Sequence, residues 1–95
     1  MSNVSFFQQQ LRNNDVFSRF NIDKIGIFGS YARDEENAED IDILLDEDVK
    51  PEKMIELRQV LERLFNKKID LVIKKFANPI ILYRAQKDLR YATPY

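Results

Sequence analysis

Apolar residues recur along the chain with two different periods, and these periods predict a mixture of helices and strands. Within 51–65 they return every three or four residues, as at Leu57 and Leu61, which is typical of an amphipathic helix. Within 40–45 the run is short, β-branched and apolar apart from two aspartates, as in a strand. The predicted elements, in chain order, are a helix at 4–11, strands at 24–28 and 40–45, a helix at 51–65, a strand at 68–74 and a helix at 78–92. The pattern therefore predicts an α/β fold, of the α+β kind, with a mixed sheet of about three strands in the order α-β-β-α-β-α.

The composition narrows the chemistry that the chain can perform. Its 95 residues are enough for one modest core, so we expect 1–95 to form a single domain. With 44% hydrophobic and 33% charged residues, the composition is typical of a soluble globular protein. The absence of cysteine and histidine excludes disulfides, zinc–thiolate sites and histidine-dependent catalysis. Carboxylates, hydroxyls, backbone amides and a hard metal ion remain available.

The net charge of −1 gives no general attraction to nucleic acids or to anionic membranes, so neither is expected as a direct partner. No apolar run is long enough for a membrane span, and the N-terminus lacks a signal-peptide pattern, so we expect a cytoplasmic protein. Tyr83, Tyr91 and Tyr95 are interpreted either as partner contacts or as half-buried core residues. The basic residues of the last third form a solvated surface or, alternatively, a patch for an acidic partner or nucleic acid: Lys67, Lys68, Lys74, Lys75, Arg84, Lys87 and Arg90.

Nine acids and no basic residue lie within 34–48, and two of the acids differ from the rest. Most of the run is expected to be a solvated loop, and it lacks the acid spacing and the glycine of an EF-hand. Asp40 and Asp42, however, alternate with Ile41 and Ile43 in a strand, so both carboxylates point to one face. Neighbouring carboxylates repel unless a cation lies between them, and an oxygen-only ligand set indicates Mg²⁺ or Mn²⁺.

Topology predicts that a third acid joins this pair. If the helix at 51–65 is a right-handed crossover, the strands that it connects are parallel neighbours. Asp42 and Asp70 then lie at the same end of the sheet. Antiparallel pairing of the first two strands brings the Gly29–Ser30 turn to that end as well.

The Gly29–Ser30 turn is suited to a phosphate group. Glycine allows close approach of a ligand, and the start of a helix, for which Ser30 is a candidate cap, presents free amides. Arg33 lies three residues after Ser30 and adds a positive charge. A phosphate site that faces a carboxylate metal site is the apparatus for transferring a phosphoryl or nucleotidyl group.

These residues resemble the signature of the polymerase-β-type nucleotidyltransferase superfamily. Gly29–Ser30 is followed, after nine residues, by the sequence Asp-Ile-Asp-Ile at 40–43. The sequence Gly-Ser-Tyr-Ala-Arg at 29–33 and the short chain most resemble the minimal nucleotidyltransferases, which are often paired with a HEPN-type toxin and serve as its antitoxin. The resemblance extends over 25–72.

The resemblance implies a reaction and a set of roles. A hydroxyl of the acceptor would attack the α-phosphorus of ATP and release pyrophosphate, with two Mg²⁺ ions, or Mn²⁺, as cofactor. In members of this size the acceptor is a tyrosine of the toxin, and homo- or hetero-oligomers are both open. The implied metal-binding and catalytic residues are Asp40, Asp42 and Asp70, of which Asp70 helps to deprotonate the acceptor, and the implied nucleotide-binding residues are Gly29, Ser30 and Arg33.

Two alternatives stay open, and two departures from the family pattern favour the first of them. Asp34 stands where relatives commonly have glycine, and Glu39 stands where they commonly have serine. Additional acids beside a triphosphate site favour, as one alternative, an antitoxin that acts by binding and occlusion without catalysis. The other alternative is the catalytic subunit of a small-molecule, antibiotic-modifying nucleotidyltransferase, which would need a second subunit for the acceptor pocket.

Overall fold

A computed structural model describes all residues, 1–95, and arranges four strands in one mixed sheet. The elements in chain order are α1 (Asn3–Asn13), α2 (Val16–Phe20), β1 (Ile25–Phe28), α3 (Gly29–Ala32), β2 (Asp40–Leu45), α4 (Pro51–Phe65), β3 (Lys68–Ile73), a 3-10 turn (Lys74–Phe76), α5 (Pro79–Ala85) and β4 (Arg90–Ala92). The predicted α+β class is confirmed, with four strands instead of about three. None of the helices combines the length and the apolar composition needed to cross a membrane.

The strand order across the sheet is β3-β2-β1-β4. β1 is antiparallel to both of its neighbours, whereas β2 and β3 are parallel and are joined by α4. The predicted pairings of the first three strands are therefore confirmed. In this register Phe28 of β1 faces Asp42 of β2, and Asp42 in turn faces Asp70 of β3.

Alternation along the strands divides the sheet into an apolar face and a polar face. Ile41 and Ile43 of β2 are fully buried in a core that α1, α2 and α4 complete, with Leu57 and Leu61 contributed by α4. Side chains two residues apart share a face of the sheet, so Asp40 and Asp42 must project from the opposite side. The hydrophobic core thereby fixes the face on which the acids lie.

Local signals explain why α4 has the predicted bounds. Pro51 occupies the first helical position, where a missing amide costs nothing. The helix ends at Asn66, which adopts the left-handed conformation at φ 52° and donates its backbone N–H to the Glu62 carbonyl at 2.9 Å. The stop signal at Asn66 and the apolar stripe therefore indicate the same end of the helix, and the structure has this end.

The predicted helix at 78–92 is wrong beyond residue 85. Its start is as expected, because the Asn78 side chain accepts a hydrogen bond from the Ile80 amide at 2.8 Å. The helix ends at Ala85, however, and the chain turns back so that Tyr91 pairs with Gly26 of β1. A Cβ atom on Gly26 would lie 2.9 Å from Leu89 Cδ1 and 3.1 Å from Tyr91 Cε1. The absence of a side chain on Gly26 therefore leaves room for the side chains of Leu89 and Tyr91 where the additional strand pairs with β1.

The N-terminal region also differs from the prediction. The predicted helix at 4–11 extends over Asn3–Asn13, and the separate helix α2 was missed. Asp15 and Asn21 flank α2 in the left-handed conformation, each with φ 54°. These residue types tolerate positive φ better than most, so short turns at both ends of a five-residue helix are compatible with the sequence.

Tyr91 secures β4 through a hydrogen bond to a carboxylate. Its hydroxyl donates to the Asp46 side chain at 2.9 and 3.1 Å, and the Lys24 ammonium lies 3.2 Å from Asp46 and 4.4 Å from the centre of the Tyr91 ring. Burial and this carboxylate raise the pKa of Tyr91 to about 12. Of the three tyrosines considered above, Tyr91 is half-buried, whereas Tyr83 and Tyr95 are exposed.

We expect Tyr91→Phe to lower the free energy of unfolding by about 1 kcal/mol at pH 8 in urea denaturation. Because the folded pKa lies above the ordinary value of 10, the protonated hydroxyl contributes its full stability below pH 10. That contribution is lost as the pH rises towards 12, so the difference between wild type and variant should shrink over this interval. A difference that stays constant from pH 8 to 12 would contradict the assignment.

Candidate functional site

Three carboxylates meet at one end of the sheet, on its polar face. Asp40 and Asp42 project from β2, and Asp70 lies beside Asp42 in the parallel strand β3. All three side chains are half-buried. The structure thus brings together the three acids that the sequence identified as candidates.

Gly29 brings the backbone directly against Asp42. It follows β1, in which Phe28 pairs with Asp42, and it has a φ of +74°. A Cβ atom at this position would lie 2.5 Å from Asp42 Oδ2. Both the left-handed conformation and the close approach require glycine, because any L side chain would be strained and would displace the carboxylate.

Ser30 lies beside the acids, although it does not cap the helix as predicted. The helix α3 begins one residue earlier, at Gly29, which has a left-handed φ. Phe28 is therefore the cap residue, and Ser30 is the second residue of this four-residue helix. The Ser30 side chain lines an open pocket of about 410 Å³ that Asp40 and Asp42 also line. The remaining residues of the pocket belong to the acidic loop: Glu35, Glu36, Asn37, Ala38 and Glu39.

Asp42 lies in an environment that disfavours its charged form. Its pKa is raised above the ordinary value, first by burial and then by the negative charges of Asp70 and Asp40. Arg33 opposes this shift with a smaller effect. An ionised Asp42 is therefore held where its charge is unfavourable, and a bound cation would relieve this repulsion.

The donor set suits Mg²⁺ or Mn²⁺, because it consists only of carboxylate oxygens. The side chains of the structure do not, however, form a closed set of three or more acidic ligands around one point. We therefore expect binding of a divalent ion to require side-chain rotation of the acids on an unchanged backbone.

Arg33 is paired with carboxylates. Its guanidinium lies 2.6 Å from Glu35 and 2.6 Å from Asp88, and the hydrogen bonds to Asp88 and Glu35 raise its pKa further. It lines a second pocket, of about 220 Å³, that α3, α5 and β2 enclose and that also contains Asp42 and Arg84. The role of Arg33 in binding phosphate stays a prediction, and in the structure its guanidinium is engaged by two carboxylates.

Sequence reasoning missed Asp88 and Arg84 as residues of this second pocket. Both fell within the predicted helix at 78–92, and Arg84 was assigned to a basic surface. No local signal places them near Asp42, because their position depends on how α5 and the turn after it pack against the sheet.

A glycine turn packed against paired strand carboxylates, with a third carboxylate in the parallel neighbour, is the arrangement expected for a nucleotidyltransferase site. Residues 9–90 match the polymerase beta nucleotidyltransferase family. The chain therefore belongs to that family, and its resemblance to the minimal nucleotidyltransferases is confirmed.

Curated relatives agree with this membership. The chain is similar to MJ0126 and MJ1217 of Methanocaldococcus jannaschii, both provisionally named protein adenylyltransferases. Each is 36% identical over 97 residues, which cover 96% of this chain and 99% of the relative. It is also similar to the protein adenylyltransferase MntA of Thermococcus cleftensis, at 46% identity over 63% of this chain and 64% of MntA.

Solved structures share the fold. A toxin–antitoxin structure with AMP-PNP has a TM-score of 0.68 at 20% identity, and the match covers 90% of this chain and 73% of the chain in that structure. A structure of a tri-AMPylated Shewanella oneidensis HEPN toxin in complex with MNT antitoxin has a TM-score of 0.58 at 25% identity, with 92% and 73% covered. A provisionally named minimal nucleotidyltransferase has a TM-score of 0.64 at 18% identity, with 95% of both chains covered.

We expect Gly29→Ala to lower the free energy of unfolding by about 2 kcal/mol or more, because the left-handed φ costs about 1–2 kcal/mol and the collision with Asp42 adds to it. In an Asp42→Ala background the carboxylate is absent and the nearest remaining atom, Asp42 Cβ, is 3.8 Å away. The cost of Gly29→Ala should then fall to the φ contribution of about 1–2 kcal/mol. Equal costs in the two backgrounds, measured by urea denaturation, would refute the contact.

We expect Asp42→Asn to raise the free energy of unfolding by up to about 1 kcal/mol at pH 7 without divalent ions, because it removes the crowded charge and keeps the shape. Asp23→Asn is the control, since Asp23 is exposed at the other end of β1, and it should change stability by less than about 0.5 kcal/mol. A destabilised Asp42→Asn variant would show that the charge is already compensated.

Proposed function

We propose that this protein transfers AMP from ATP to a hydroxyl of a partner protein of the HEPN-toxin type, and that it acts as the antitoxin of this partner. Nucleotide transfer itself follows from the family. The acceptor is taken from the relatives, because MntA of Thermococcus cleftensis is named a protein adenylyltransferase and one structural neighbour is an AMPylated HEPN toxin with its MNT antitoxin.

One observation carries the proposal, namely the contact of Gly29 with Asp42 in a register that sets Asp42 beside Asp70. Nucleotidyl transfer needs a phosphate held next to carboxylates that can hold a divalent cation. The glycine turn supports the first requirement, and the raised pKa of Asp42 beside its acidic neighbours supports the second.

In the proposed reaction the hydroxyl oxygen of the acceptor attacks the α-phosphorus of ATP. A new oxygen–phosphorus bond forms, the bond to the departing pyrophosphate breaks, and the hydroxyl proton passes to Asp70. Gly29 and Ser30 hold the phosphates at the pocket beside Asp40 and Asp42. Arg33 exchanges a carboxylate partner for a phosphate oxygen, which its planar guanidinium accommodates equally well.

Mg²⁺, as two ions with Mn²⁺ as an alternative, would be held by Asp40, Asp42 and Asp70. When bound, it neutralises the phosphate oxygens and draws electron density from the α-phosphorus. Without it, five acidic residues line the pocket of Ser30 and would repel a triphosphate. A dependence of nucleotide binding on the divalent ion is therefore part of the proposal.

The test incubates the protein with Mg²⁺, the product of the neighbouring gene as the partner, and ATP labelled at either the α- or the γ-phosphate. We expect label on the partner from α-labelled ATP only, and a loss of about 100-fold or more in Asp40→Asn and in Asp42→Asn. Asp23→Asn should retain wild-type transfer. Label from the γ-phosphate would indicate phosphoryl transfer instead, and equal labelling by the aspartate variants would refute the assigned site.

A second candidate function is antitoxin action by occlusion alone. Two observations favour it: the pocket of Ser30 is lined by five acidic residues and no basic one, and the nearby Arg33 is engaged by Glu35 and Asp88. A variant with both Asp40→Asn and Asp42→Asn, co-expressed with the toxin, separates the two functions. Full protection by this variant favours occlusion, whereas loss of protection with unchanged binding of the toxin favours catalysis.

A further inference from the structure

We propose that the open edge of β3, with the apolar groove beside it, binds an extended segment of the acceptor protein and adds it to the sheet as a fifth strand. The site accepts a strand of alternating apolar residues with carboxylates at its ends. Only the identity of the occupant as acceptor rests on the proposed function, because the edge and the groove are features of the fold.

The backbone of β3 is unpaired on its outer side. β3 lies at the edge of the sheet and has β2 as its only neighbour. The Ile69 amide points away from β2, since it donates to the Glu62 side chain at 3.4 Å. Residues two apart in a strand direct their backbone groups to the same side, so the amides of Leu71 and Ile73 also point outward. Neither amide has a partner among the turn, loop and side-chain hydrogen bonds of the structure. Two free donors in a row can pair with an incoming strand.

An apolar groove of about 630 Å³ lies along the same edge. Leu71 and Ile73 contribute to it from one face of β3, and Val72 contributes from the other. Phe76 is 74% exposed and Ile81 is 45% exposed, and both also line the groove. Because the groove includes residues from both faces of the strand, it can receive alternate side chains of an added strand on both sides.

The charges around the edge favour an acidic occupant over a second copy of the chain. Lys68, Lys74 and Lys75 are exposed at the two ends of β3. Antiparallel pairing of two copies about Leu71 would place Lys68 of one copy opposite Lys74 of the other, and like charges in that position are destabilising. Carboxylates at the ends of an incoming strand would face these lysines instead. Lys75 now pairs with Asp48 at 3.4 Å, but both side chains are exposed, so the pair is easily exchanged.

The groove adjoins the candidate site. Ile81 of α5 lines both the apolar groove and the smaller pocket that contains Asp42 and Arg84. A chain that leaves the edge of β3 past Ile81 therefore arrives beside Asp42. A hydroxyl carried just outside the added strand would reach the reacting group in this way, with Arg84 available for an acidic neighbour. The proposed docking surface and the site are thus neighbours that meet at Ile81.

The test uses the full chain and a short acetylated peptide of alternating valine and threonine, with a glutamate at each end and a single tyrosine. Binding is followed by amide hydrogen exchange without nucleotide or metal. We expect the Leu71 and Ile73 amides to slow by about tenfold or more at saturating peptide, with no change at the Ile27 amide in the centre of the sheet. A peptide with the same side chains but N-methylated backbone amides, and one with lysines in place of the glutamates, should each lose at least about tenfold in affinity.

Variants of the protein complete the test. Phe76→Ser and Ile81→Ser should each weaken peptide binding by about tenfold. Ile55→Ser is the matched control, because Ile55 is 60% exposed on α4 outside the groove, and it should bind as wild type does. Asp42→Asn should bind the peptide normally, so a failure of AMP transfer leaves the docking result intact.

Unchanged affinity of the N-methylated or the lysine peptide would overturn the proposal. Protection of Leu71 and Ile73 by self-association in the absence of peptide would also overturn it.

Discussion

The parallel register of β2 and β3 is the constraint on which the site depends. It sets Asp42 beside Asp70, and no other feature of the chain brings these two carboxylates together. α4 makes the register possible, because a parallel pair needs a crossover connection, and this amphipathic helix of 15 residues provides it. Leu57 and Leu61 anchor α4 on one face of the sheet. The packing on that face therefore helps to fix the register that sets Asp42 beside Asp70 on the other face.

The close placement of Asp42 and Asp70 lowers the stability of the fold, and the contact of Gly29 with Asp42 lowers it further. A half-buried aspartate beside two like charges, with backbone packed against its oxygen, would not be selected to strengthen the fold. The fully buried isoleucines of β1 and β2 and the stacked rings of Phe7 and Phe65 compensate elsewhere. The core packs on one face of the sheet and the acidic site lies on the other. This separation allows a chain of 95 residues to tolerate an unfavourable site.

The sequence was most informative where structure depends on local signals. The bounds of β2 and α4 were predicted correctly, because Pro51, the apolar stripe and the left-handed Asn66 act within a few residues of one another. The meeting of the three aspartates was also predictable, since parallel and antiparallel pairings follow from the lengths of the connections. Strand β4 was not predictable in the same way, because it forms against the bare backbone of Gly26, which lies more than sixty residues away along the chain. The pairing of Arg33 with Asp88 was missed for the same reason, since Asp88 reaches Arg33 only when the chain turns back towards β4.

The two edges of the sheet differ in a way that bears on how so small a chain can act on another molecule. β4 closes one edge and is held there by Tyr91 and Asp46. β3 leaves the other edge open, with outward amides at Leu71 and Ile73 and exposed lysines at both ends. An open edge promotes aggregation unless charge protects it, and the lysines provide that protection against a second copy while leaving the edge attractive to a carboxylate-bearing strand. Because Ile81 lines both the groove beside this edge and the pocket that contains Asp42, the proposed docking surface adjoins the candidate site, and selection of a partner there would also bring it near Asp42.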